Sequence, residues 1–150
     1  MRLGLPKRRF DKLFSAEEAE ELIPRLEFLI RELQTTLEGL RKKIGELAKF
    51  DDRLEKLELP AVVSRYPELK PAAARIADYA SEIEAMGGFL KDVDQGLVDF
   101  PFKIEDEEGG SAVAFLCWQF GERKLVAWHP VDGGFAQRRP LPGAPKQYLN

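Results

Sequence analysis

The chain has 150 residues, 44% hydrophobic and 33% charged, with a formal net charge of −3. This is enough to bury one core, and a charge balance this even argues neither for nucleic acid nor for an anionic membrane as a partner. No apolar run approaches the roughly 18 residues of a membrane helix, no apolar stretch follows the amino-terminal charges, and Cys117 has no second cysteine to pair with. The expected setting is therefore the cytoplasm, with a free thiol.

Residues 1–13 read as a basic, flexible tail: Arg2, Lys7, Arg8, Arg9 and Lys12 are opposed only by Asp11. Such a tail can touch phosphates, but a solubilising end is the favoured reading, so nucleic acid is not an expected partner. Phe14-Ser15-Ala16-Glu17-Glu18 opens a helix through a capping box, with the Ser15 hydroxyl and the Glu18 carboxylate each bonding the other's backbone N–H. Leu22, Leu26, Leu29, Leu33, Leu37, Leu40, Ile44 and Leu47 then recur about every 3.6 residues, the mark of an amphipathic helix. The expected helix runs from about Ser15 into the late fifties, kinked at Pro24 and ended by Pro60.

Residues 60 to 67 read as a loop, and Pro67 and Pro71 open a second helix bearing Leu69, Ala73, Ile76, Ala80, Ile83 and Met86. Gly87-Gly88 ends it with a left-handed residue. Residues 14–87 thus form a helical hairpin of unequal arms, whose longer stripe must cover the sheet or a second copy of the chain. From Phe89 the period changes to two. Val98, Phe100, Phe102 and Ile104 alternate with Asp99, Pro101 and Lys103 in a strand, and Pro101 argues for an edge position or a bulge. Glu107-Glu108-Gly109-Gly110 is a turn, Ser111 to Phe120 a second strand, Gly121 to Lys124 a turn, and Leu125 to Trp128 a third strand. Residues 88–138 form a β-meander of three to four strands, and 139–150 an irregular tail in which Tyr148-Leu149 could dock. The whole chain, 1–150, is expected to be one α+β domain: a long antiparallel helical hairpin followed by a small antiparallel sheet.

Three segments resemble an uncharacterised prokaryotic family, the domain of unknown function 2203. They are Phe14 to Pro24, Lys91 to Pro101, and Leu116 to Pro140 with its Leu-Cys-Trp, Gly-Glu, Trp-His, Gly-Phe and Arg-Pro pairs. The residues before Phe14 look like an extension of the usual family start. The resemblance implies no activity, because the family has none to carry over.

The unusual polar residues gather in the sheet region. His129, beside Trp128 and before Pro130, marks a strand end where it either pins a turn or joins Asp92, Asp94 and Asp99 in a mixed imidazole–carboxylate site for a divalent metal ion. Asp92 and Asp94 share a face if their segment is extended, although Asp94-Gln95-Gly96 is equally ordinary turn chemistry. Asp99 lies mid-strand between apolar neighbours and needs a partner such as Lys91, Arg138 or His129. Cys117 could be a nucleophile with His129 as base, but Leu116 and Trp118 frame it, and core filling is the favoured reading. Trp118 and Trp128 pack as a cross-strand pair or wall a ligand pocket, and Arg138 and Arg139 hold an anion or cap the aspartates. Two functions follow. The favoured one is a non-enzymatic interaction protein that self-associates through its helices. The alternative is a metal-binding module or metal-dependent enzyme in which Glu122, Asp99 and His129 are the candidate catalytic groups.

Overall fold

In the computed structural model, which describes residues 12–105 and 109–141, the capping box forms as expected. The Ser15 Oγ accepts from the Glu18 N–H at 3.0 Å and the Glu18 carboxylate accepts from the Ser15 N–H at 2.9 Å. Helix α1 (Ala16–Glu20) gives way to a turn, and α2 (Ile23–Ala48) restarts with Pro24 in its first turn, where a missing N–H costs nothing.

The far end of the long helix differs from expectation. Helix α2 stops at Ala48, Asp51 caps a 3₁₀ turn (Asp52–Lys56), and residues expected to be a loop form α3 (Leu59–Arg65). Pro60 lies in the first turn of α3, so it opens a helix rather than ending one. A further 3₁₀ turn (Pro67–Leu69) leads into α4 (Lys70–Ala85). The Gly87 N–H bonds the Glu84 carbonyl and the Gly88 N–H bonds the Ile83 carbonyl, closing a Schellman stop with Gly87 at φ 97°. A Cβ at Gly87 would stand 2.6 Å from Phe14 Cζ, so this stop also seats the entry to the first helix.

Asp51 ties α2 to α3. Its carboxylate accepts from Arg65 Nε, from the Tyr66 hydroxyl at 2.8 Å and from the Arg53 N–H at 3.2 Å. The bonds from Arg65 and then Tyr66 hold its carboxyl down to about 2. A depressed carboxyl stabilises the fold above its ordinary value of 3.8 and loses that effect as pH falls through about 2. Asp51→Asn is expected to lower the thermal midpoint at neutral pH and to shrink the acid-induced loss between about pH 4 and about pH 2. Superimposable melting profiles for the two proteins across that window would show that the tie contributes nothing.

The sheet has five antiparallel strands in the order β1 (Phe89–Asp92), β2 (Leu97–Glu105), β3 (Ser111–Gln119), β4 (Ala127–Pro130) and β5 (Arg139–Pro140). The expected meander is present with one strand more, because Arg139 pairs with Trp128 and Pro140 with Ala127. Pro101 lies past the end of β1, whose pairing with β2 stops at Asp99, and there the Phe14 N–H bonds the Pro101 carbonyl at 2.8 Å. The edge position expected of this proline is what the fold provides. The turn at 107–110 lies partly outside the described residues, as do the basic residues 1–11 and Tyr148-Leu149.

One sheet face packs on the helices. Val98, Phe100, Leu116 and Trp118 share a core with Leu26, Leu29, Ile30, Leu33 and Ile83. The Arg25–Glu82 ion pair joins the start of α2 to the end of α4, as an antiparallel hairpin requires. A second core covers the rest of the long stripe from within the chain: Leu40 packs with Leu54, Val62 and Leu69, flanked by Ile44 and Leu47.

Candidate functional site

The opposite sheet face carries the unusual residues. Because side chains alternate along a strand and Asp99 pairs with Cys117, Cys117 with Ala127, and Phe115 with His129, all of these point away from the helices. Asp99 on β2, Cys117 on β3 and His129 on β4 are each 2% exposed or less. One oxygen of Asp99, the sulfur of Cys117 and a ring nitrogen of His129 lie within 4.8 Å of one another.

The hydrogen bonds fix where protons sit. His129 Nδ1 lies 2.8 Å from the Pro130 carbonyl, which only accepts, so Nδ1 carries a proton. Nε2 lies 2.9 Å from Asp99 Oδ2 and shares the next proton with it. Burial acts against the imidazolium, but the bonds to Asp99 and Pro130 together with the Asp99 charge outweigh it, and the His129 pKa is raised above 6.5. Burial first, and then the Asp99 charge, push the Cys117 thiol up to about 12. Both ring nitrogens are engaged, so His129 has none left to take the Cys117 proton. The nucleophile–base pairing considered for these two residues does not form.

What the three do present is a donor set. An imidazole whose Nδ1–H is held by a backbone carbonyl directs Nε2 as a ligand, the usual support of a metal-bound histidine. A tetrahedral ion with bonds of about 2.0–2.3 Å sets its ligand atoms about 3.5 Å apart. Here the three atoms lie within 4.8 Å of one another, and the Nε2–Oδ2 pair, at 2.9 Å, would open slightly around an ion. A cavity of ≈130 Å³ lies against the trio, walled by Lys91, Leu97, Gly133, Gly134 and Phe135. The β4–β5 connection roofs it. That connection is held by the Gly133 N–H on the Pro130 carbonyl at 2.9 Å and by Arg138 Nη2 on the Cys117 carbonyl at 3.2 Å.

The other residues singled out in the sequence lie elsewhere. Asp92 accepts from the Gln95 N–H at 2.9 Å and shapes the β1–β2 turn. Asp94 faces α2, where it pairs with Arg41 at 2.9 Å while Gln34 holds the turn's carbonyls. Neither joins Asp99 and His129, because the turn ahead of β2 sends both carboxylates outward. Glu122 is occupied as well: its carboxylate accepts from Arg138 Nη2 at 2.8 Å and from the Gln119 N–H at 2.8 Å. Arg138 is thereby buried beside β3, and Arg139 lies over the Trp128 ring at 5.1 Å. The tryptophan rings each meet a different aromatic, Trp118 with Phe120 and Trp128 with Phe102. Cys117 is the member of the trio that the sequence reading left out of its metal-site candidates. Its apolar neighbours Leu116 and Trp118 project to the opposite face, so they say nothing about its surroundings.

The fold and this site define a small α+β protein with a buried carboxylate–thiol–imidazole trio under a loop. The chain belongs to the family described as uncharacterized conserved protein, DUF2203, whose model matches residues 12–141. No curated protein and no solved structure matches it.

Proposed function

We propose that this protein is a binding module for a divalent transition-metal ion, held by Asp99, Cys117 and His129. The observation that carries this reading is the convergence of three different donor types within 4.8 Å, with the imidazole already oriented by the Pro130 carbonyl. A thiolate among the ligands favours zinc over magnesium or calcium. Three protein ligands leave a fourth position open, the arrangement of catalytic rather than structural zinc. A reducing, cytoplasmic setting suits such a site, because it keeps Cys117 a thiol.

The test is elemental analysis of protein purified without an affinity tag or chelator, followed by zinc titration of the stripped protein. About one ion per chain is expected, lost in Cys117→Ser and His129→Ala and fully retained in Asp94→Ala. Absence of uptake in the parent protein would leave Asp99 and His129 as a purely structural pair.

Pairing between two copies through the helices has less support than the long stripe suggests on its own. Leu54, Val62 and Leu69 cover the stripe's far end, and the apolar surface left around that connection is Phe50, Leu57 and Leu59.

A further inference from the structure

We infer that the open coordination position takes a small monovalent anion, a short carboxylate, with Lys91 as its second point of attachment; this rests on the metal-binding reading above. The cavity touches the three ligand residues and Lys91 together. At ≈130 Å³ it has room for about four waters, which suits a ligand of a few heavy atoms. Its walls are otherwise apolar or glycine: Leu97, Gly133, Gly134 and Phe135.

Charge selects the sign. A divalent ion with one thiolate, one carboxylate and one neutral imidazole is electrically neutral, so the positive charge left at the cavity is that of Lys91. The Lys91 ammonium lies 5.2 Å from the centre of the Phe115 ring and 5.8 Å from that of Phe89, and no carboxylate of the described residues pairs with it. The Phe115 ring in turn lies 5.7 Å from the His129 ring, which puts the ammonium within one aromatic ring of the metal ligands. Gly133 keeps the roof close: a Cβ there would meet Gln137 Oε1 at 2.3 Å and Pro130 Cδ at 3.3 Å. A monoanion that binds the ion through one oxygen can present its other oxygen to Lys91, and a charge-assisted bond of this kind adds both affinity and orientation. The volume favours a small anion over a bulky one.

Cobalt(II) in place of zinc makes this measurable, because its visible bands report the coordination shell and its near-ultraviolet thiolate band reports Cys117. The stripped protein, loaded with cobalt, is titrated with formate and separately with benzoate. The visible bands should move with formate and not with benzoate. Formate should bind about tenfold more weakly in Lys91→Met, which keeps the apolar stem, and with near-parent affinity in Lys91→Arg. Lys91 is exposed, so neither variant threatens the fold. If the thiolate band never appears, the metal reading fails and this inference with it. If the band appears but formate leaves the visible spectrum unchanged, the metal reading stands and the anion inference is overturned. Equal formate affinity in Lys91→Met, or binding of benzoate as tight as formate, overturns it too.

Discussion

His129→Ala should destabilise the metal-free protein by about 3–5 kcal/mol, far more than the loss of one surface ion pair. The Asp99 and His129 side chains are each only 3% exposed, and the Asp99 carboxylate, on the strand between β1 and β3, has the imidazole as its hydrogen-bond partner. Removing the ring leaves a largely buried carboxylate without its direct hydrogen-bond partner. A second change, Asp99→Asn, should then recover part of the loss, because the amide no longer buries a charge; the two substitutions are therefore strongly non-additive. Urea unfolding of the parent, both single variants and the double variant, in chelator at neutral pH, measures this directly. Additive effects would mean that the pair is not coupled. The pH dependence has a definite sign. A histidine raised on folding stabilises the native state below its ordinary value of 6.5 and loses that contribution as pH rises through the raised value. The gap between parent and His129→Ala should accordingly narrow in alkaline solution.

Zinc uptake should release about two protons per ion near neutral pH, so that affinity rises about 100-fold for each pH unit. One proton comes from the Cys117 thiol, which burial and the Asp99 charge keep protonated up to about 12. The other is the proton shared between His129 Nε2 and Asp99 Oδ2, since a ligating imidazole must be neutral at that nitrogen. The proton on Nδ1 stays, bonded to the Pro130 carbonyl. Above the titration point of the imidazolium the release should fall to about one, and the slope of affinity against pH should halve. Calorimetric titrations in buffers of different ionisation enthalpy count these protons. Cys117→Ser should remove one of them and weaken binding by more than about 100-fold, beyond what loss of a supporting hydrogen bond costs. Uptake without proton release would place the ion away from this trio.

Much of the architecture was legible in the chain before any coordinates. The capping box at Ser15, the Gly87 stop and the change of period at Phe89 are local signals, and each appears in the structure where it was read. The misread segment is 49–65. There the periodic leucines continue through Leu54 and Leu57, and nothing local announces that Asp51 folds back onto Arg65 and Tyr66. Pro60 was ambiguous in principle, since proline both ends helices and opens them.

The sequence by itself determined the inventory: a helical hairpin, an antiparallel meander, one histidine, one cysteine, and an aspartate in mid-strand that needed a partner. These follow from interactions within a few residues, where capping, periodicity and turn chemistry act. Only the tertiary structure decided that the partner is His129 rather than Lys91 or Arg138, that Cys117 joins them, and that Asp92, Asp94 and Glu122 do not. The reason lies in strand register. A slip of one residue between β2 and β3 would turn Cys117 toward the helices and Leu116 toward Asp99, and that register is set by the packing of Val98, Phe100, Leu116 and Trp118 against the helices, which involves residues far apart in the chain.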